Sequence, residues 1–217
     1  QKKNMIINRK HISSTSSPYI VAELSANHGQ DIKIALESIK SARNCGANAI
    51  KIQTYTPDSM TFKRDNKIVI ENGIWKGNDL YNLYKKAQTP YIWHKKLFQH
   101  AKKLGITIFS SPFDEESVDL LAKLNCPAYK IASFEIVDIP LIKYVAKRNK
   151  PIIISTGNAN YEEIYAAVEA AKISNGGVAL LHCISSYPAS PDKFNLKTIN
   201  FLKKEFNLPI GLSDHSI

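Results

Sequence analysis

The chain has 217 residues, 44% apolar and 22% charged, a composition that places it among folded globular chains and excludes disordered and fibrous classes. Its 29 Lys and Arg against 19 Asp and Glu give a net charge of +10. Basic runs such as YKKAQTPYIWHKK and FLKKEF read as solvated helix faces, and with no binding motif beside them a nucleic-acid partner is not expected.

The predicted elements follow in chain order. Residues 1–17 form an N-terminal arm, whose start QKKNMIINRK lacks the apolar segment of a signal peptide. The first β-rich run is YIVAEL (19–24). A helix follows, with Ala35, Ile39 and Ala42 on one face before a stop at Gly46. The next run is AIKIQT (49–54). The stretch from Tyr55 to Pro90 is too long for an ordinary βα connection, and loops of that length are usually lids or substrate walls. Trp93, Leu97, Ala101 and Leu104 then mark a helix that ends at Gly105. ITIFSS (106–111), AYKIAS (128–133) and PIIIST (151–156) follow as strands. A helix carrying Ile164, Val168 and Ala171 ahead of Gly176 leads to VALLHC (178–183) and IGLSDH (210–215).

No apolar stretch approaches the about 18 to 20 residues of a membrane helix, so a cytoplasmic protein with no membrane partner is expected. Three cysteines, Cys45, Cys126 and Cys183, are odd in number and far apart, which fits neither a zinc knuckle nor a disulfide frame, and they read as reduced thiols.

Strands alternating with helices mean a parallel sheet, and runs that are apolar throughout are strands covered on both faces. Of the two parallel architectures, the doubly wound sheet has no G-x-G-x-x-G fingerprint here. Polar residues gather instead at the carboxyl ends of the strands, as in a (β/α)8 barrel. The sequence supplies seven strands, so the expected fold is such a barrel over residues 18–217, cut short before its eighth strand.

Lys51 and Lys130 lie inside apolar strands, where an ammonium must snorkel out or meet an anion. With Ser111, Ser133, Ser155 and Ser213 they resemble a phosphate or carboxylate cradle, although each serine alone reads as a strand-end cap. Glu23 is either a turn carboxylate or a general acid or base. His215, beside Asp214, is the candidate divalent-metal ligand, while His182 inside LLHC reads as a core histidine or one that supports a ligand from behind.

In this order AELSANH, AIKIQTYTPDSMT, FSSPFD, YKIASFE, ISTGNA, LLHCISSYP and GLSDHS closely resemble the sialic acid synthases, from about residue 18 onward. Within that family the long stretch with QTYTPDSMT and GIWKGNDLYNLYKKAQTPYIWH resembles the pseudaminate branch, with the N-acetylneuraminate and legionaminate branches as alternatives. The resemblance implies condensation of phosphoenolpyruvate with an open-chain acetamido sugar to a nine-carbon 2-keto acid and phosphate. It implies phosphoenolpyruvate contacts at Lys51, Ser111, Lys130, Ser133, Ser155 and Ser213, and sugar contacts at Glu23, Gln53 and Tyr187. Ser185 stands where the family has Asn, which alters one phosphate contact. A divalent metal is implied, manganese foremost with magnesium or cobalt as substitutes, and His215 as one of two histidine ligands. A homodimer with a small C-terminal antifreeze-like domain is implied for the full-length enzyme. That domain and the second histidine are absent from this sequence, so the 217 residues are expected to be an N-terminal portion, inactive and poorly folded alone. The alternatives of other classes are a non-catalytic fragment, a 3-deoxy-heptulosonate type of aldol enzyme, and a basic nucleic-acid-binding module.

Overall fold

The computed structural model describes residues 5–63, 68–71, 75–186 and 189–216. The chain divides into two compact units, one of Tyr19–Cys126 and one joining Gln1–Pro18 to Pro127–Ile217.

The second of these units contains the start of the chain. β1 (Met5–Ile7) and β2 (Lys10–Ile12) pair antiparallel, with Ile7 opposite Lys10. The two residues between them, Asn8 and Arg9, both have positive φ, at 46° and 71°, as a tight hairpin turn that follows strand twist requires. Strand alternation buries Met5 and Ile7 and leaves Ile6 exposed. The residues expected as an arm therefore include a hairpin with a packed face. A run of three apolar residues is too short to be told from a loop by its pattern.

The unit of Tyr19–Cys126 begins with β3 (Val21–Glu23), α1 (Ile32–Asn44) and β4 (Ala49–Thr54). The Tyr55–Pro90 stretch carries two short helices, α2 (Pro57–Met60) and α3 (Leu80–Ala87), and a bridge between Val69 and Asp79. α4 (Tyr91–Leu104), β5 (Thr107–Pro112) and α5 (Glu115–Lys123) complete it. Asp114 caps α5, its side chain accepting from the Ser117 amide at 2.6 Å, and Glu115 and Glu116 sit in the first turn where the helix dipole favours them. α4 ends on Gly105 in the left-handed conformation, φ 68°, which a β-carbon would strain. The strands run parallel in the order β3, β4, β5, with Glu23 beside Lys51 and Gln53 beside Ser111. Ala35, Ile39 and Ala42 from α1 and Leu97 and Ala101 from α4 pack on Ile50, Ile52 and Ile108, so the face of even-numbered β4 residues is the helix-covered one.

The other unit continues with β6 (Tyr129–Ile131), a 3-10 turn over Phe134–Val137, α6 (Ile139–Ala146), β7 (Ile152–Ser155), α7 (Tyr161–Ala171), β8 (Val178–Cys183), α8 (Lys197–Phe206) and β9 (Ile210–Ser213). Its strands are parallel in the order β6, β7, β8, β9. α7 starts with a capping box, Asn160 and Glu163 each bonding the other's amide. It ends at Ala171, ahead of the expected stop at Gly176. Gly176 instead lets two backbones pass. A β-carbon there would stand 2.1 Å from the Lys150 carbonyl carbon and 2.3 Å from the Pro151 nitrogen, so only glycine fits.

Outside the β1–β2 hairpin, neighbouring strands in each unit are consecutive in the chain and never reverse direction or order. That is the winding of a (β/α)8 barrel, whereas a doubly wound sheet changes order at a switch point. Seven strands of the barrel pattern occur among the described residues, and their positions match the seven expected runs to within two residues at every end.

Candidate active site

Strand alternation and the paired registers sort the polar residues by face. In the Tyr19–Cys126 unit, Glu23, Lys51, Gln53 and Ser111 share the face opposite the one covered by α1 and α4. Lys51 Nζ forms an ion pair with Glu23 Oε2, and the Lys51 side chain is 14% exposed against 40% for Glu23. Ser111 Oγ lies 3.5 Å from the same ammonium. Glu23 Oε1 also accepts from the Ser25 amide at 3.0 Å, which holds the carboxylate at the strand end. Three of the residues expected on this unit's strand ends are thus joined by one ammonium, with Gln53 one register step beyond.

Ser110 belongs elsewhere. Its Oγ lies 2.6 Å from Thr54 Oγ1, which lies 2.8 Å from His94 Nε2, all fully buried on the helix-covered face. The other imidazole nitrogen, Nδ1, is 3.1 Å from the Pro90 carbonyl and donates to it, so Nε2 accepts from Thr54. Burial holds the His94 imidazole neutral, its pKa pushed down to about 4. Sequence reasoning missed this network, because only the register of β4 with β5 shows which of two adjacent serines points outward.

In the other unit, Lys130, Ser155, Cys183 and Ser213 share one face of β6 to β9 by the same alternation. Lys130 is 5% exposed, and its Nζ donates to the Ile131 carbonyl at 3.0 Å. Cys183 is the hub. Ser133 Oγ donates to its sulfur at 3.5 Å, Ser185 Oγ lies at 4.0 Å and His215 Nδ1 at 3.8 Å. Burial raises the thiol pKa, but the hydrogen bonds to His215 and Ser133 outweigh it and bring it down to about 7. From sequence Cys183 reads only as a widely spaced, reduced cysteine. Its part in the site depends on neighbours 50, 2 and 32 residues away.

His215 Nδ1 also lies 2.9 Å from the Ile184 carbonyl, and Nε2 lies 3.3 Å from Ser213 Oγ. The carbonyl fixes Nδ1 as the protonated nitrogen and leaves the Nε2 lone pair for a hydroxyl or a cation. That arrangement fits one ligand position of a divalent ion. Among the described residues no three His, Cys, Asp or Glu side chains gather as a metal cage.

His182 faces the other way, its Nε2 2.6 Å from the Phe194 carbonyl, in keeping with a core role. Glu135, not singled out in the sequence, has a buried Oε2 with no hydrogen-bond partner, and burial raises its carboxyl pKa against the lowering charge of Lys130. Tyr187 lies outside the described residues. Gly157 borders the hub so closely that a β-carbon there would stand 2.4 Å from Ser185 Oγ and 2.8 Å from Ser133 Oγ.

The NeuB family pattern matches residues 38–217. The chain belongs to the NeuB family. It is 46% identical over 202 residues to a pseudaminic acid synthase of Helicobacter pylori, covering 92% of this chain and 59% of that one. It is 35% identical to an N,N'-diacetyllegionaminic acid synthase of Legionella pneumophila over 210 residues, 94% of this chain and 59% of the relative. The crystal structure of an N-acetylneuraminic acid synthetase from Leptospira borgpetersenii, in complex with citrate, superposes with a TM-score of 0.88 at 32% identity, covering 99% of this chain and 71% of that one. This NeuB chain therefore spans about 59% of the length of the two curated relatives. No helix among its described residues is long and apolar enough to cross a membrane.

Proposed function

We propose that this NeuB chain is part of a pseudaminic acid synthase, which condenses phosphoenolpyruvate with 2,4-diacetamido-2,4,6-trideoxy-L-altrose to a nine-carbon 2-keto acid and phosphate. The observation that carries the reading is Lys51, held between the Glu23 carboxylate and the Ser111 hydroxyl on the strand face turned away from the helices. A cation flanked by a hydroxyl suits an anionic substrate, and the neighbouring carboxylate suits a sugar hydroxyl or a moving proton. The higher identity to the pseudaminic than to the legionaminic relative supports the branch.

In this reading Lys51, Ser111, Lys130, Ser133, Ser155 and Ser213 are ligands of phosphoenolpyruvate, and Ser185 takes a phosphate contact. Gln53 and Tyr187 contact the sugar. C3 of phosphoenolpyruvate attacks the sugar aldehyde carbon, and the carbonyl oxygen takes a proton as it becomes a hydroxyl, with the Glu23 carboxylate proposed to relay that proton from the water that adds at C2. Water adds at C2, and the tetrahedral carbon then expels phosphate. The ammonium groups and hydroxyls offset the charge on the departing phosphate oxygens. His215 would hold one position of a divalent ion, with manganese the expected metal, which when bound supplies a Lewis acid for a carbonyl.

The test is phosphate release by the full-length enzyme with phosphoenolpyruvate and either the trideoxy altrose or N-acetylmannosamine. The trideoxy sugar is expected to give the higher kcat/KM. A higher value for N-acetylmannosamine would assign the chain to the N-acetylneuraminate branch, and no release with either sugar would remove the synthase reading.

Gly157→Ala gives a second expectation. The β-carbon meets two serine hydroxyls that are able to rotate aside, so the fold survives while Ser133 and Ser185 leave their positions. Thermal unfolding should stay within a few degrees, while kcat/KM for phosphate release falls roughly 10- to 100-fold, as for loss of one or two positioned hydrogen bonds. Unchanged turnover would take both serines out of the site.

A further inference from the structure

The 3-10 turn Phe134–Val137 begins three residues after the end of β6 at Ile131, with Ser133 as its N-cap. In a 3-10 turn residues three apart eclipse, so Phe134 and Val137 stand on one face. That face is bare: Phe134 is 70% and Val137 58% exposed, while Ile136 between them is 2% exposed and anchors the turn in the core. The turn adjoins the candidate site in the chain: the residue preceding Phe134 is Ser133, which bonds the Cys183 hub. The other groups of that hub, Ser133, Ser185, Ser213 and His215, are polar and suit phosphate, carboxylate or hydroxyl. Two large apolar side chains left in water beside such a cluster fit the apolar part of the same ligand.

We propose that Phe134, backed by Val137, is a specificity-determining surface for the sugar, covering its C6 methyl and acetamido methyl groups. This rests on the synthase reading above. A sugar with a hydroxyl at C6 would have to strip water from that hydroxyl against the phenyl ring without a hydrogen bond in return, so the surface selects deoxy, acetamido-rich sugars.

The experiment measures kcat/KM for the trideoxy altrose and for N-acetylmannosamine, and the KM of phosphoenolpyruvate, in the full-length enzyme and its Phe134→Ala, Phe134→Leu and Val137→Ala variants. Phe134→Ala is expected to lower kcat/KM for the trideoxy sugar about tenfold, through KM, and that for N-acetylmannosamine less than about twofold, so the preference ratio falls roughly five- to tenfold. The KM of phosphoenolpyruvate stays within about twofold, Phe134→Leu keeps most of the preference, and Val137→Ala shifts it about threefold. Because Phe134 is exposed, thermal unfolding should not move. Equal losses for both sugars, or an unchanged ratio, would overturn the proposal while leaving the synthase reading intact. Equal losses together with dissociation of an oligomer in sedimentation would give the face to a second copy of the chain and overturn it too. A wild-type enzyme idle with both sugars would overturn both readings.

Discussion

Lys51→Met in the full-length enzyme is expected to raise the KM of phosphoenolpyruvate roughly 10- to 100-fold, the equivalent of losing one charge-assisted hydrogen bond of about 1.5 to 3 kcal/mol. The sugar KM should change much less. Methionine keeps most of the length and apolar stem of lysine, so the substitution removes the ammonium and little else. The ion pair with Glu23 is lost at the same time, but that carboxylate is 40% exposed, and partly exposed pairs contribute little to stability. Thermal unfolding should therefore move by only a few degrees. Lys130→Met should show the same split between the two substrates. If both KM values rise equally in either variant, the lysine orders the strand end and does not hold the anion.

Acid is expected to destabilise the unit that contains His94 by about 3 kcal/mol through this one side chain. Buried and neutral, its pKa is pushed down to about 4 from an ordinary 6.5. Above pH 6.5 neither the folded nor the unfolded chain protonates it, and its contribution is fully present. As the pH falls below 6.5 the unfolded chain takes up the proton while the folded chain refuses it, so stability drains away until about pH 4. His28, also buried and with its pKa lowered by burial, adds in the same direction. Urea unfolding at pH 7 and pH 4.5, in the wild type and in His94→Gln, checks this. The variant should be weaker at pH 7, because Thr54 loses its imidazole partner, but should decline less between the two pH values. An equal decline in both proteins would mean that His94 is not the group that titrates.

Strands such as β7 and β8 were legible because they are covered on both faces, which writes a run such as PIIIST or VALLHC that needs no partner to be recognised. Helix faces were legible for a similar reason: the residues on α1 that share a face by spacing, Ala35, Ile39 and Ala42, are its buried ones. The hairpin of β1 and β2 was not, since its two buried residues are set by packing against residues such as Gly177, whose β-carbon position lies 3.3 Å from Met5 Cα. At the site, residue types at strand ends could be named from sequence, but their grouping could not. Ser110 and Ser111 are neighbours in the chain and face opposite ways, and the register with β4 alone decides which one meets Lys51. Cys183 looked inert as one of three scattered thiols, and becomes a hub only when two distant segments bring Ser133 and His215 to its sulfur beside its near neighbour Ser185.

The hairpin at the start of the chain has a consequence for synthesis on the ribosome. Met5 leaves the exit tunnel long before Gly177, the residue it packs on, and at about 5 to 20 residues per second the wait is roughly 10 to 30 s. The unit of Tyr19–Cys126 is continuous in sequence and is complete well within that interval, so it is free to fold first. The hairpin's apolar face must then remain in search of its partner while a folded body is already attached to it, and closing so long a loop is slow. A nascent chain of this kind carries an unpaired apolar hairpin well ahead of its partner, and chaperone contact during translation should concentrate on Met5–Ile7 until the segment around Gly177 emerges.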